Sequence, residues 1–204
     1  MIDMSPIDPG PTRSLASSFA ERGVQMVDAP VSGGERGALE ATLSIMVGGT
    51  DAAFARARPI LEVLGTNVVH VGPSGAGQVC KACNQLVVGV TIQAVAEALN
   101  LAECSGVDAA RVREALLGGF AGSRILEVHG RRMLDRAFEP GFRVRLHAKD
   151  ARIVESAAAE AGAEVPAFEL VAARLRALEA AGGGESDHSA LFALLKDHDP
   201  GGAS

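Results

Sequence analysis

Tryptophan and tyrosine are absent from this chain, and phenylalanine occurs only 7 times in 204 residues. Proteins that grip single-stranded nucleic acid stack bases on aromatic faces, and too few such faces exist here. An excess of positive charge is also lacking: the net charge is −6. A phosphate-binding surface needs clustered Lys and Arg, so nucleic acid is not expected as a partner. No apolar run approaches the ~18 residues that cross a bilayer. The opening Met1-Ile2-Asp3-Met4-Ser5 lacks the basic start and apolar stretch of a secretory signal. No membrane partner is therefore expected, and the expected location is cytoplasmic. Cysteine is scarce, at positions 80, 83 and 104. Cys80 and Cys83 form a C-x-x-C, which can be a redox centre or half a zinc site. No second Cys/His pair at zinc spacing follows, and the surrounding Gln78–Leu86 reads as helix already under way. Ordinary small thiols in a reduced compartment are expected.

What is present describes an ordinary folded protein: 48% hydrophobic and 22% charged residues, enough to bury a real core. Two regions differ in pattern. Residues 1–73 mix short β-branched runs with Gly and Pro, in the order strand (Met1–Met4), helix (Pro9–Gly23), strand (Val24–Ala29), turn (Ser32–Gly34), strand (Leu43–Gly48), helix (Thr50 or Asp51 to Leu64) and strand (Asn67–Val71). That order suggests part of an α/β sheet. Residues 74–204 are Ala- and Leu-rich with helical periodicity. A helix of nearly 30 residues spans Gln78–Ser105 and is apolar on most faces. Such a helix is buried on all sides, in a core or a subunit interface. Helices are expected over Asp108–Leu117, Ser123–Leu134, Leu146–Ala161, Pro166–Ala180 and Ser189–Leu195, followed by a disordered tail from about residue 197. The expected fold class is α/β followed by all-α: a partial Rossmann-type sheet, then a helical C-terminal domain built on a long interdomain helix.

Three segments carry candidate chemistry. Asp28-Ala29-Pro30-Val31-Ser32-Gly33-Gly34 ends a strand and turns, setting backbone N–H groups and a hydroxyl beyond the strand's carboxyl end. Open α/β sheets bind ligands there, and such a cluster suits a carboxylate. A plain turn uses the same residues. In Gly75-x-Gly77-x3-Lys81-x2-Asn84, Lys81 and Asn84 share one face of an otherwise apolar helix. Polar groups there are costly unless they meet a cavity or a partner; a lysine can serve as general acid, or it can snorkel to solvent. Phe138-Glu139-Pro140-Gly141-Phe142, followed by Lys149-Asp150, opens a basic helical stretch. It can reach an anion or form a solvated face.

Together, in this order and spacing, the segments resemble the signatures of the β-hydroxyacid dehydrogenases, the 3-hydroxyisobutyrate dehydrogenase-like family. Asp28–Gly34 match D-A-P-V-S-G-G letter for letter. Gly75–Gln85 match G-x-G-x-x-x-K-x-x-N-Q, Phe138–Phe142 with Lys149-Asp150 match F-x-P-G-F and K-D, and Asp187–Leu191 match D-x-S-A-L. The resemblance implies hydride transfer between NAD or NADP and a short hydroxy acid or semialdehyde. It implies Lys81 as general acid/base, Asn84 as its orienting partner, Ser32, Gly33 and Gly34 on the substrate carboxylate, and Gly122 and Ser123 as further substrate contacts. Ser5, Lys149 and Asp150 would approach the cofactor, and the protein would be a homodimer or homotetramer.

The chain departs from the family at its start. Members open with a strand and a G-x-G-x-x-G turn that cradles pyrophosphate, and no such turn is present. Asp3-Met4-Ser5 resembles the family's later D-x-S-T, with Pro6 where a hydroxyl residue is usual. The expectation is a chain lacking the first half of its cofactor domain, binding cofactor weakly or not at all. A non-catalytic oligomeric remnant of such an enzyme, and another member of the 6-phosphogluconate dehydrogenase-like superfamily, such as an imine reductase, are the alternatives; the lysine argues against the latter.

Overall fold

The computed structural model describes residues 1–195. The tail expected from residue 197 lies outside them. The chain forms two compact units: Met1–Gln85 with Asp150–Glu164, and Leu86–Lys149 with the residues from Val165 onward.

The first unit contains β1 (Ile2–Asp3), α1 (Pro9–Ala20), β2 (Val27–Asp28), β3 (Val31–Ser32), α2 (Gly34–Leu39), β4 (Ser44–Gly48), α3 (Asp51–Leu61) and β5 (Asn67–Gly72). β1 runs parallel to β2, pairing Asp3 with Asp28. β2 and β3 pair antiparallel with β4 in one continuous register, Asp28 opposite Gly48 and Val31 opposite Ile45. They are one extended run interrupted at Pro30, which has no N–H to give the ladder. β5 takes the other edge of β4, in parallel. Val27, Ala29, Ile45 and Val47 of the sheet pack on Ala53, Ala57 and Leu61, one face of α3 at four-residue spacing. Burying a side chain such as Leu61 or Ile45 contributes about 1.5–3 kcal/mol. Thr50 caps α3 by accepting the Ala53 N–H at 3.2 Å.

Two local expectations are corrected here. The strand expected from Val24 begins only at Val27, because the Val24 N–H closes the end of α1 on Phe19 O at 2.9 Å. The Ser32-Gly33-Gly34 turn is tighter than expected. Ser32 ends β3, Gly33 takes a φ of 137° and Gly34 one of 63°, and α2 starts at once. Both glycines adopt angles that L side chains rarely reach.

α4 (Ala76–Cys104) leaves the first unit and enters the second. It is long and apolar enough, by length and composition, to cross a membrane, a test that core helices of soluble proteins also pass. It holds no unbroken apolar run of that length, because polar residues such as Gln85 and Gln93 are spaced along it. Those two are themselves buried. The second unit adds α5 (Ala109–Leu117), α6 (Arg124–Asp135), α7 (Val144–Ala161, whose later turns belong to the first unit), α8 (Pro166–Ala180) and the 3₁₀ helices Gly183–Glu185 and His188–Leu195. Phe168, Val171 and Leu175 of α8 are fully buried. Gly89 of α4 admits them: a Cβ there would meet Phe168 at 3.2 Å and Val171 at 3.3 Å.

Asp187 knits this unit together. It is wholly buried. Oδ2 accepts the N–H groups of Gly141 and Phe142, each at 3.0 Å, and pairs with Arg132 at 3.0 Å. Oδ1 accepts Ser189 Oγ at 2.6 Å. Burial alone would raise this carboxyl's pKa. The neighbouring His129 and His188, the Ser189 hydroxyl and the Phe142 N–H outweigh it and hold the pKa far below the usual carboxylate range. The F-x-P-G-F and D-x-S-A-L segments are thus two sides of one structural junction.

Candidate active site

The sequence motifs of the first unit meet at the N-terminus of α4. Asp28, 1% exposed, reaches from β2 and accepts the backbone N–H of Gly75 at 2.8 Å and of Gln78 at 3.0 Å. The opening N–H groups of a helix have no partner inside it, and a carboxylate satisfies them and complements the helix dipole. Two glycines make the approach possible. A Cβ on Gly48 would lie 2.6 Å from Asp28 Oδ1, and one on Gly77 would lie 2.7 Å from the Asp28 carbonyl. The next residue, Gln78, ties down the β1–α1 loop: its Nε2 donates to Ser5 O at 2.7 Å, and its Oε1 accepts the Ile7 N–H at 3.2 Å.

Lys81 and Asn84 follow on this anchored turn, both half-buried. Asn84 Nδ2 donates to Gln85 Oε1 at 2.7 Å, and Gln85 Nε2 donates to Asp150 Oδ2 at 2.7 Å. Ser32 is half-buried, and Gly33 and Gly34 are exposed where β3 ends, a few residues beyond Asp28 on the same strand run. One residue therefore registers both the Lys81 helix and the Ser-Gly-Gly loop. Ser5 is exposed beyond the carboxyl end of β1, its N–H bonded to Asp3 Oδ1 at 3.0 Å.

The remaining candidates sit differently. Asp150 is 4% exposed and bonded to Gln85; its carboxylate links α7 to α4 inside the first unit. Lys149, half-buried, and Gly122, exposed, belong to the second unit. Ser123 caps α6, its Oγ accepting the Leu126 N–H at 3.0 Å. Sequence reasoning missed Asp28 and Gln78. The available signal was polarity: an Asp inside a strand and a Gln on an apolar helix must both find partners when buried. Of the C-x-x-C, Cys80 is half-buried and Cys83 exposed, both as free thiols. Burial, then the neighbouring Cys83, pushes the Cys80 thiol up, away from the reactive thiolate. A trough of about 370 Å³ lined by Met1, Val24, Arg56 and Ile60 contains none of the motif residues.

Residues 75–195 match the family described as the NAD-binding domain of NADP-dependent 3-hydroxyisobutyrate dehydrogenase. Residues 1–72 match the NAD-binding domain of 6-phosphogluconate dehydrogenase. The chain belongs to the 3-hydroxyisobutyrate dehydrogenase family. It is 48% identical to 2-hydroxy-3-oxopropionate reductase of Escherichia coli over 96% of its own length and 67% of that enzyme's. It is 35% identical to an NAD-dependent L-serine dehydrogenase of Pseudomonas aeruginosa, over 96% of this chain and 68% of that one. A Mycobacterium tuberculosis 3-hydroxyisobutyrate dehydrogenase solved with L-serine superposes with a TM-score of 0.87 at 35% identity, over 96% of this chain and 69% of that one. An imine reductase from Pseudomonas shares the fold, at 19% identity and a TM-score of 0.52.

The cofactor of this family is NAD or NADP. The residues present fit only part of it. Ser5 is open beyond the end of β1, where a Rossmann sheet binds its ligand. The β1–α1 segment reads Met4-Ser5-Pro6-Ile7-Asp8, with no glycine-rich turn for a pyrophosphate. The cofactor, when bound, supplies the hydride chemistry; these residues supply placement and protons.

Proposed function

We propose that this chain serves hydride transfer between NAD or NADP and a short carboxylic acid bearing a hydroxyl or aldehyde at the β-carbon, with Lys81 as general acid/base. The single observation that supports this most is the seating of α4 on Asp28. It brings the Lys81 helix and the Ser32-Gly33-Gly34 loop into register through one strand. The curated relatives point to the substrate class: 2-hydroxy-3-oxopropionate and L-serine are short carboxylates oxygenated at the β-carbon.

In this reading the backbone N–H groups of Gly33 and Gly34 and the Ser32 hydroxyl hold the substrate carboxylate. In reduction, negative charge grows on the aldehyde oxygen and the Lys81 Nζ gives it a proton. In oxidation the amine takes that proton back. Asn84 orients the lysine or the substrate oxygen. As the resemblance implies, Gly122 and Ser123 are assigned further substrate contacts, and Ser5, Lys149 and Asp150 the cofactor side. Asp150 acts there through Gln85, since its carboxylate is buried. The working form is a homodimer or homotetramer in the cytoplasm, without nucleic-acid or membrane partners. Exposed Val87, Leu101 and Phe120 on the helical unit support self-association.

The test is titration of NADPH and NADH into the purified chain by nicotinamide fluorescence, followed by turnover of 2-hydroxy-3-oxopropionate. Turnover that Lys81→Ala lowers by roughly 10²–10⁴-fold supports the assignment. Saturable cofactor binding with turnover insensitive to Lys81→Ala overturns it. No binding of either cofactor favours the second reading, a non-catalytic oligomeric form, for which the same exposed apolar residues speak.

A further inference from the structure

The helical unit holds a second polar cluster that hydride transfer does not use. His188 of the last 3₁₀ helix meets His129 of α6 and Phe142 edge to face and lies tilted against His147 of α7. His147 is fully buried and His188 is 4% exposed. Both nitrogens of His188 face other imidazoles: Nδ1 lies 3.0 Å from His147 Nδ1, and Nε2 lies 3.3 Å from His129 Nε2. The far nitrogen of His129, Nδ1, faces Asp187 Oδ1 at 3.5 Å. His129, Asp187 and His188 thus bring three ligand-type atoms within 4.8 Å of one another.

We propose that His129 Nε2 and His188 Nε2 form a binding site for a late divalent transition ion, Zn²⁺ or Cu²⁺. Two nitrogens bound to one tetrahedral ion at ~2.0–2.1 Å must stand roughly 3.3 Å apart, the separation already present. The outer nitrogens are held as metal-binding histidines usually are. Asp187 Oδ1 stands 3.5 Å from His129 Nδ1, close enough to orient that ring, and His147 Nδ1 receives the His188 Nδ1–H. In that tautomer each Nε2 offers a lone pair, and three neutral imidazoles satisfy this arrangement without losing a proton. His129 is the more exposed of the two, at 18% of its side chain, and water would complete the coordination from its side. Asp187 does not itself ligate, because Ser189 and the Gly141–Phe142 backbone fill its oxygens. Imidazole ligands and no free carboxylate select Zn²⁺ or Cu²⁺ over Mg²⁺ or Ca²⁺.

This inference does not rest on the hydride-transfer reading, and its test needs no turnover. Zn²⁺ is titrated calorimetrically into the full chain carrying Cys80→Ser, Cys83→Ser and Cys104→Ser, which removes the competing thiols. One saturable ion per chain is expected, at least tenfold weaker with His129→Gln and unchanged with His70→Ala, a histidine of the other unit. His129→Gln keeps a polar side chain of similar reach, and its helical circular dichroism in EDTA checks folding. Cu²⁺ bound to the otherwise unaltered chain should show paramagnetic resonance coupling to two imidazole nitrogens. Absence of saturable Zn²⁺ binding, binding unaffected by His129→Gln, or a Cu²⁺ signal without two-nitrogen coupling would overturn the proposal and leave a hydrogen-bonded imidazole chain.

Discussion

Single residues carry unequal weight in this protein, and the deciding factor is whether a buried polar atom has a substitute partner. Asp28→Ala would strip two N–H groups of α4 of their acceptor. A cap loss costs ~1 kcal/mol and a buried unsatisfied donor ~1–3 kcal/mol. A destabilisation of roughly 2–4 kcal/mol is expected in urea unfolding; a change below about 0.5 kcal/mol would deny the cap its role. Gly77→Ala sets two effects against each other. Alanine ordinarily favours a helix over glycine by ~1 kcal/mol. Here its Cβ would collide with the Met46 carbonyl and stand 2.7 Å from that of Asp28. Backbone atoms cannot swing away as a side-chain tip can, so overpacking should win and cost a net ~1–3 kcal/mol. A raised thermal midpoint for Gly77→Ala would show that this contact relaxes freely.

At the level of elements, helix starts were the most readable feature and strand limits the least. Thr50, Asp108 and Ser123 stand at the expected helix starts, each accepting an N–H from the first turn of its helix. That chemistry is local, so sequence reveals it. Ser123→Ala should cost about 1 kcal/mol in thermal or urea unfolding through the lost cap alone. Any further loss of substrate affinity at equal folding would report the substrate contact proposed for it. The strand limits depended on partners: β2 shrank because the Val24 N–H serves α1, a competition between two elements. α8 shows the packing side. Phe168 is 1% exposed and sits against the notch of Gly89. Phe168→Ala should cost about 3–5 kcal/mol, measured as a lowered urea midpoint with the slope retained.

For the whole molecule, family membership and cofactor class follow from motifs that span nearly the full chain. The chain spans about two thirds of the length of the curated relatives it matches. At that scale the proposed self-association is open to a mass measurement. Light scattering should give a multiple of the 20.9 kDa chain mass, and Leu101→Glu, which charges an exposed apolar site, should shift it toward the single chain. A monomeric mass for the unaltered protein would remove the homo-oligomer from the functional picture.

The sequence by itself determined the α/β-then-helical class, the long helix, the capped helix starts and the family, because each depends on periodicity, local hydrogen bonding or a contiguous motif. Lys81, Asn84 and Ser32–Gly34 stand out as candidates through contiguous motifs that resemble those of the family. Tertiary structure alone decided what holds them. Asp28 reads as one letter of a turn motif and proves to be the anchor of α4, across 47 residues to Gly75. Asp150 reads as part of a basic stretch that reaches an anion or forms a solvated face, and it is buried against Gln85. His129 and His188 are separated by 59 residues and carry no spacing signal, yet their nitrogens stand 3.3 Å apart. Long-range polar contacts of this kind arise only when the chain has closed its core, since burial is what forces a carboxylate or an imidazole to find a distant partner.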